Sequence, residues 1–272
     1  MIKKQNEGFH MSQGEPLFYR RYGQGTPILL VHAGIADGRM WQPQIDSWRQ
    51  SYHLILPDLR GFGRSLIPNG PFSYHQDLVG LLKHLEVGPV WLIGTSFGSR
   101  VALDLYLDHP ELVSGLVLVS PVISGFEPDE TMQAFGREED RLFEAGDLQA
   151  ATELNMRMWL DGPHRSAGQV DPQVREAVAA MQLHAFQLPE PEKAAVINLD
   201  PPAIHRLDEI QVPGLIIAGA LDIPAIVSHA QMLAEQVSGA QLKLISEAAH
   251  LPNMEQPLLF NDTVQHFIAR ST

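Results

Sequence analysis

The feature that most constrains the fold is an apolar run that leads directly into a serine flanked by glycines. Residues 90–95 predict a buried strand, and residues 97–109 predict a helix that stops near a proline. Ser96 lies at the turn between them, with Gly94 before it and Gly98 after it. A side chain at either glycine would collide with the neighbouring strand or helix. The pattern therefore predicts a sharp turn that presents a serine nucleophile.

The composition is typical of one ordinary globular domain with room for an insertion. The 272 residues are 44% hydrophobic and 19% charged, which excludes a disordered chain. The formal net charge of −13 disfavours nucleic acid and anionic membrane surfaces as partners. Without cysteine, the chain forms neither disulfides nor thiolate metal sites. Because it shows neither a leader segment nor a run long enough to cross a bilayer, we expect a cytoplasmic protein.

Predicted strands and helices alternate over most of the chain. Two strands, at 8–13 and 16–22, predict an N-terminal hairpin. Further strands are predicted at 27–32, 52–57, 90–95, 116–120, 213–219 and 241–245, and helices at 39–50, 73–86, 97–109, 226–237 and 257–270. The later strands are continuously apolar, which is typical of strands covered on both faces. This alternation predicts an α/β fold with a mainly parallel sheet between two layers of helices.

The alternation stops between residues 122 and 208, where the pattern is helical and interrupted by prolines. Helical character is strongest at 140–144, 148–160 and 172–186. A segment this long between two strands predicts an inserted helical cap (122–208) on a core built from residues 1–121 and 209–272. The predicted substrate-pocket residues are Ile35, Met156, Trp159, Phe186 and Leu251. The alternative is that such apolar side chains simply hold the cap together.

A serine hydroxyl needs a general base, and that base needs an acid to orient it. Asp222 follows the strand at 213–219, and His250 follows the strand at 241–245. Because the carboxyl ends of parallel strands meet at one edge of a sheet, we expect both side chains close to Ser96.

The reaction also needs two backbone N–H groups to stabilise negative charge on the attacked oxygen. Phe97 offers the first, because it lies at the N-terminus of a helix. The loop after the strand at 27–32 offers the second. Gly34 is the preferred donor there, and Ile35 is the alternative.

These motifs together resemble the α/β-hydrolase superfamily. The segments that carry the resemblance are Val31–Gly34, Asp58–Ser65, Gly94–Gly98, Gly219–Asp222 and Ala249–His250. Ala33 departs from the glycine that relatives commonly have at its position. The resemblance implies an eight-stranded sheet with an antiparallel second strand, a cap after the sixth strand, and the chain order Ser96, Asp222, His250.

The resemblance also bears on the acid and on the Asp58–Ser65 segment. Some relatives carry the acid after the strand at 116–120, but residues 121–126 contain no carboxylate, which favours Asp222. The Asp58–Ser65 segment is expected to shape the sheet end near the site, and Ser65 is not expected to be a nucleophile.

The predicted chemistry is ester cleavage through an acyl-serine, without a cofactor or a metal. The dehalogenase and epoxide-hydrolase members of the superfamily form an alkyl-enzyme ester on an aspartate at this position. Serine at position 96 therefore argues against both classes. The first hypothesis is a carboxylesterase for small to medium apolar acyl esters, and a lactonase of the acyl-homoserine lactone or enol-lactone type is the alternative. C–C bond hydrolases and perhydrolases share the same residues. A ligand-binding, receptor-like protein on this scaffold is a third hypothesis. We expect a small-molecule substrate and a monomer or homodimer.

Overall fold

The structure is a computed structural model that describes residues 6–271. An eight-stranded sheet forms the centre of this part of the chain. Residues 1–5 and residue 272, which the prediction assigns to the core, lie outside that part. The strands, in chain order, are β1 (Asn6–Ser12), β2 (Glu15–Tyr22), β3 (Thr26–Val31), β4 (Tyr52–Pro57), β5 (Pro71–Phe72), β6 (Val90–Thr95), β7 (Val113–Val119), β8 (Ala195–Val196), β9 (Gly214–Gly219) and β10 (Gln241–Ile245).

The strand order across the sheet is β1-β2-β4-β3-β6-β7-β9-β10, while β5 and β8 form a separate parallel pair. Strand β2 runs opposite to the other seven strands of this sheet, since it pairs antiparallel with both β1 and β4. The remaining pairs are parallel. The predicted fold class, including the antiparallel second strand, is therefore confirmed.

Helices cover both faces of the sheet. They are α1 (Gln42–Trp48), α2 (Tyr74–His84), α3 (Phe97–Asp108), α4 (Glu130–Glu144), α5 (Leu148–Asn155), α6 (Pro172–Phe186), α7 (Pro224–Gln236), α8 (Pro252–Glu255) and α9 (Pro257–Ser271). Successive residues of a strand point to opposite faces. Leu29 of β3 accordingly packs in the apolar cluster that includes α2, α3 and α7, and Ile28 packs in the cluster that includes α1 and α9. This two-sided burial explains why the central strands are continuously apolar.

Several predicted boundaries differ from the structure for local reasons. The helix predicted at 39–50 is a 3₁₀ turn (Gly38–Trp41) followed by α1, which has a proline in its first turn. The helix predicted at 148–160 is α5 continued by a π-helical segment (Met156–Asp161). Helix α4 begins ten residues before the predicted helical stretch at 140–144, capped by Asp129, which accepts from the Met132 N–H. Helix α4 buries no residue fully, although its apolar residues Met132, Phe135, Leu142 and Phe143 recur at helical spacing.

The cap segment (residues 122–208) lies between β7 and β9 and contains α4, α5 and α6. It contacts the core through hydrogen bonds as well as apolar packing. His184 Nε2 is 2.9 Å from the carbonyl oxygen of Gly63, and the Ile197 N–H donates to the carbonyl of Phe72. Among the helices of residues 6–271, none is both long and apolar enough to span a bilayer.

A fully buried ion pair joins the loop after β4 to α2, and the same arginine also binds the turn of the N-terminal hairpin. The Arg60 guanidinium donates to both carboxylate oxygens of Asp77 on α2, at 2.8 and 3.1 Å. Its other N–H groups donate to the carbonyls of Ser12, Glu15, Pro16 and Leu66. Because both charges are removed from water and matched, loss of one partner leaves the other charge uncompensated.

We expect Asp77→Ala to lower the free energy of unfolding by about 3–5 kcal/mol, measured by urea denaturation. The matched control is Glu7→Ala, because Glu7 pairs with Arg64 at 3.3 Å with both side chains half exposed. That control should cost less than about 1 kcal/mol. Equal losses in the two variants would contradict the structural role given to Arg60 and Asp77.

Candidate active site

Ser96 occupies a strained turn between β6 and α3. Its backbone has φ 55° and ψ −118°, a conformation that costs a serine about 1–3 kcal/mol. A Cβ on Gly94 would clash with the carbonyl group of Gly98, and a Cβ on Gly98 would clash with the carbonyl of Val31. Both predicted steric reasons for glycine are therefore present, and the Ser96 side chain makes no capping hydrogen bond to α3.

Ser96, His250 and Asp222 form a continuous hydrogen-bonded chain. His250 Nε2 is 2.7 Å from Ser96 Oγ, and His250 Nδ1 is 2.8 Å from Asp222 Oδ2. His250 and Asp222 are each only 1% exposed. A carboxylate can only accept, so Nδ1–H donates to Asp222 and Nε2 is free to accept the serine proton. The structure thus brings together the three residues predicted for this site, each beyond the carboxyl end of its strand.

Asp222 is itself held in place. Its second oxygen, Oδ1, accepts from the Ile223 N–H at 2.8 Å, at the start of α7. One oxygen therefore stays directed toward the backbone while the other faces the imidazole.

A buried glutamate holds the loop that carries His250. Glu255 Oε1 accepts from the N–H groups of Ala249 and Leu251, on either side of His250, both at 3.1 Å. Glu255 Oε2 accepts from Arg165 of the cap segment at 2.5 Å. Burial raises the pKa of Glu255, and the Arg165 charge opposes that rise. The histidine loop is thus clamped by a side chain that also contacts the cap.

A buried histidine holds the loop after β3. His32 Nε2 accepts from the Leu59 N–H at 2.8 Å, and its Nδ1 donates to the carbonyl of Ala33 at 2.8 Å. Burial lowers the pKa of His32, which keeps the ring neutral and able to accept. His32 therefore ties the loop containing Gly34 to the Asp58–Ser65 segment, in which Ser65 is fully buried and accepts from the Phe18 N–H.

The predicted N–H donors lie at the Ser96 end of a cavity. A Cβ on Gly34 would be 3.3 Å from the Phe97 Cβ, so the two residues adjoin. Gly34, Ile35 and Ser96 all line the cavity. Within the described part of the chain, the N–H groups of Gly34, Ile35 and Phe97 have no hydrogen-bond acceptor. All three remain available, and the choice between Gly34 and Ile35 stays a prediction.

The cavity has a volume of about 450 Å³ and lies between the cap segment and the core. Of the predicted pocket residues, Ile35, Trp159 and Phe186 line it. The predictions for Met156 and Leu251 were wrong. Both side chains are fully buried in the apolar cluster that includes α1 and α9, so they hold the cap and the histidine loop onto the core.

Aromatic rings form the wall next to His250. The Trp159 ring lies 4.6 Å from the His250 ring, and the Phe135 ring lies 5.5 Å from Trp159. Tyr74 also lines the cavity, and burial raises its pKa to about 12. Phe135, Glu139 and Phe143 line the cavity from α4 and were missed, although their four-residue spacing was a usable helical signal.

A mostly parallel sheet with a strained serine, hydrogen-bonded to a buried histidine–aspartate pair, is the architecture of an α/β-type hydrolase. A family model described as alpha/beta hydrolase fold matches residues 26–257. The chain therefore belongs to the alpha/beta hydrolase family.

Similar proteins of this family include lactonases and esterases. The chain is 27% identical to 3-oxoadipate enol-lactonase 2 of Acinetobacter baylyi, over 95% of each protein. It is similar to the structure of an N-acyl homoserine lactone degrading enzyme, with 27% identity, a TM-score of 0.75 and coverage of 96% of this chain and 100% of the other. It is also similar to a thermophilic esterase from Thermogutta terrifontis, with 25% identity, a TM-score of 0.79 and coverage of 99% and 100%.

We expect Glu255→Ala to slow the reaction of Ser96 with a fluorophosphonate probe by about 100-fold, because His250 loses its fixed position. The rate is measured by intact mass. Glu255→Gln should recover part of the rate, since an amide oxygen still accepts from the Ala249 N–H. The control is Glu247→Ala, an exposed glutamate in the same loop. Labelling of Glu255→Ala at the control's rate would contradict the clamp.

Proposed function

We propose that this hydrolase cleaves carboxylic esters through an acyl-Ser96 intermediate, and that its first activity is that of a carboxylesterase. The observation that carries the proposal is the Ser96–His250–Asp222 chain, with hydrogen bonds of 2.7 and 2.8 Å, opening into a cavity of about 450 Å³. A serine hydroxyl is a weak nucleophile near neutral pH, and this arrangement supplies the base and the orienting acid that it needs.

The reaction follows from the hydrogen bonds. His250 Nε2 accepts the Ser96 proton as Oγ bonds to the ester carbonyl carbon. Asp222 holds the ring and stabilises its positive charge. The carbon–oxygen bond to the alcohol then breaks, and His250 gives its proton to the departing oxygen. Water, deprotonated by His250, attacks the acyl-serine, which releases the acid and returns the proton to Ser96.

Two backbone N–H groups stabilise the oxyanion in this proposal. Phe97 supplies one at the N-terminus of α3, where the helix dipole also favours negative charge. Gly34 supplies the other, and Ile35 is the alternative. Supporting this assignment, the three N–H groups have no acceptor among the described residues, and Gly34 and Phe97 adjoin beside Ser96.

The cavity favours an acyl group of small to medium size. Aromatic and aliphatic side chains contribute most of its wall, including Trp159 beside His250 and Phe135 beyond it. Apolar walls favour the apolar part of an ester, and a volume near 450 Å³ lies within the range of small-molecule sites.

A lactonase is the second candidate, and the similarity of this chain to two lactone-degrading proteins favours it. Two of the similar proteins, each 27% identical over nearly the whole chain, are an enol-lactonase and an enzyme that degrades N-acyl homoserine lactones. A lactone is a cyclic ester, so the same steps open it. The only difference is that the departing alcohol stays attached to the acyl-serine.

The test is a panel of p-nitrophenyl esters of increasing acyl length, run beside acyl-homoserine lactones and a simple γ-lactone. Ser96→Ala should lower kcat by about 10⁴-fold or more for every substrate that the wild type hydrolyses. The control, Ser246→Ala, removes an exposed hydroxyl and should retain activity. Comparable turnover by Ser96→Ala would contradict the mechanism.

The same panel decides between the two activities. Short esters favoured over lactones support the carboxylesterase. A preference for lactones of about tenfold or more, which is roughly 1.4 kcal/mol in transition-state free energy, assigns the lactonase.

A further inference from the structure

Three polar side chains from helices of the cap segment line the cavity among mostly apolar neighbours. Glu139 comes from α4, Asn155 from the end of α5 and Gln182 from α6. We call these three residues the cap polar cluster. Asn155 Nδ2 donates to Glu139 Oε1 at 2.5 Å and to the carbonyl of Ala151 at 3.0 Å. Both N–H groups of the Asn155 side-chain amide therefore donate to groups of the protein itself.

The cap polar cluster lies between two pairs of aromatic rings. An aromatic residue that also lines the cavity lies four positions away in the sequence from each member. These residues are Phe135 and Phe143 for Glu139, Trp159 for Asn155, and Phe186 for Gln182. On one side Phe135 and Trp159 lead toward the His250 ring, with centroids 5.5 and 4.6 Å apart. On the other side the rings of Phe143 and Phe186 are 5.7 Å apart. A ligand held at Ser96 reaches the cluster by extending past Trp159.

Gln182 is a buried polar side chain without a partner. It is 4% exposed, and its Oε1 atom is inaccessible and accepts no hydrogen bond. Buried amides are normally satisfied, and an unsatisfied one is costly to the fold. Because Gln182 lines the cavity, rotation of its side-chain amide would bring Oε1 within reach of a ligand, whose donor would supply the missing hydrogen bond and remove that cost.

Glu139 also lacks a cation. Within residues 6–271, no lysine or arginine acts on it, and its single side-chain donor is Asn155. Burial raises the pKa of Glu139, and the hydrogen bond from Asn155 opposes the rise. A donor on a bound ligand would stabilise the carboxylate in the same way as Asn155 does.

The cavity offers little to an anionic group. Arg60 is the only lysine or arginine among the described residues that line it, and its guanidinium is committed to Asp77 and to backbone carbonyls. Glu190, at the exposed rim, adds a second negative charge to that of Glu139. A substrate carboxylate would therefore enter beside like charges without a free cation.

We propose that the cap polar cluster is a specificity site that binds a hydrogen-bond donor, such as a hydroxyl or an amide N–H, on the substrate chain beyond Trp159, and that it rejects a carboxylate there. The donor bonds to Glu139 and Gln182. This inference rests on the proposed function of Ser96 and names the class of ester or lactone that the site prefers.

The experiment compares p-nitrophenyl esters that differ only at the far end of the acyl chain, which carries a methyl, a hydroxyl or a carboxylate, at several chain lengths. At the length that reaches the cluster, kcat/KM for the hydroxyl ester should exceed that for the methyl ester by about tenfold or more. The carboxylate ester should be the poorest of the three. A hydroxyl-to-methyl ratio of one or less at every length, or a preference for the carboxylate, overturns the proposal.

Substitutions in the cap polar cluster test whether it causes the preference for the hydroxyl ester. Glu139→Gln and Gln182→Leu should each reduce the hydroxyl-to-methyl ratio by about tenfold, since each removes one acceptor. The matched controls are Glu138→Gln, the half-exposed neighbour on α4 that pairs with Arg141, and Gln187→Leu, an exposed glutamine just after α6. Both controls should keep the wild-type ratio. An unchanged ratio in Glu139→Gln and Gln182→Leu overturns the assignment.

A binding measurement separates this proposal from the proposed function. Calorimetry with Ser96→Ala compares hydrolysis-inert alkyl ketones that end in a hydroxyl or a methyl. Absence of ester and lactone turnover in the wild type would refute the proposed function. Even then, tighter binding of the hydroxyl ketone would support the specificity site, provided that the preference is lost when Gln182→Leu is combined with Ser96→Ala. Equal binding of the two ketones would refute the specificity site.

Discussion

The site depends on one steric constraint, the close packing of the strand–helix turn at Ser96 against its neighbours. The turn keeps Ser96 at φ 55° because Gly98 lies against the Val31 carbonyl and Gly94 lies against the start of α3. Only glycine fits at both contacts. The strain of the serine backbone is balanced by the packing of the sheet and α3. As a consequence, the hydroxyl stands at the carboxyl edge of the sheet, where loops from distant parts of the chain converge.

Buried polar groups hold each of those loops. His32 links the loop after β3 to Leu59, and Glu255 clamps both sides of His250 while bonding to Arg165 of the cap segment. Such groups are favourable only when every donor and acceptor is matched, so each fixes its loop in one position. Gln182 departs from this rule, since its Oε1 is buried without a partner on the cavity wall. Other buried side-chain atoms of the described residues also lack a partner, but among those residues only Gln182 lines the cavity, where a ligand is expected.

The sequence predicted the site best where the functional residues directly follow strands. Asp222 and His250 could be placed near Ser96 because parallel strands deliver their following residues to one edge. It was least informative in the cap, where an apolar residue at helical spacing suits both a core and a pocket. Met156 proved to be core and Trp159 proved to line the cavity, a distinction that depends on how the π-helical segment winds. Glu139 was missed because a glutamate on a mostly exposed helix is normally a solvated surface residue, and nothing in its sequence neighbourhood marks it as facing a cavity.

The most direct test of the account is to trap the covalent intermediate. Wild-type protein is mixed with a p-nitrophenyl ester, quenched with acid within milliseconds and digested, and the acyl group is located by mass spectrometry. The account predicts an acyl group on Ser96, formed with a burst of p-nitrophenol whose amplitude matches the enzyme when deacylation is the slower step. Ester hydrolysis in which Ser96 never carries the acyl group, or an acyl group on another residue that turns over at the steady-state rate, would contradict it.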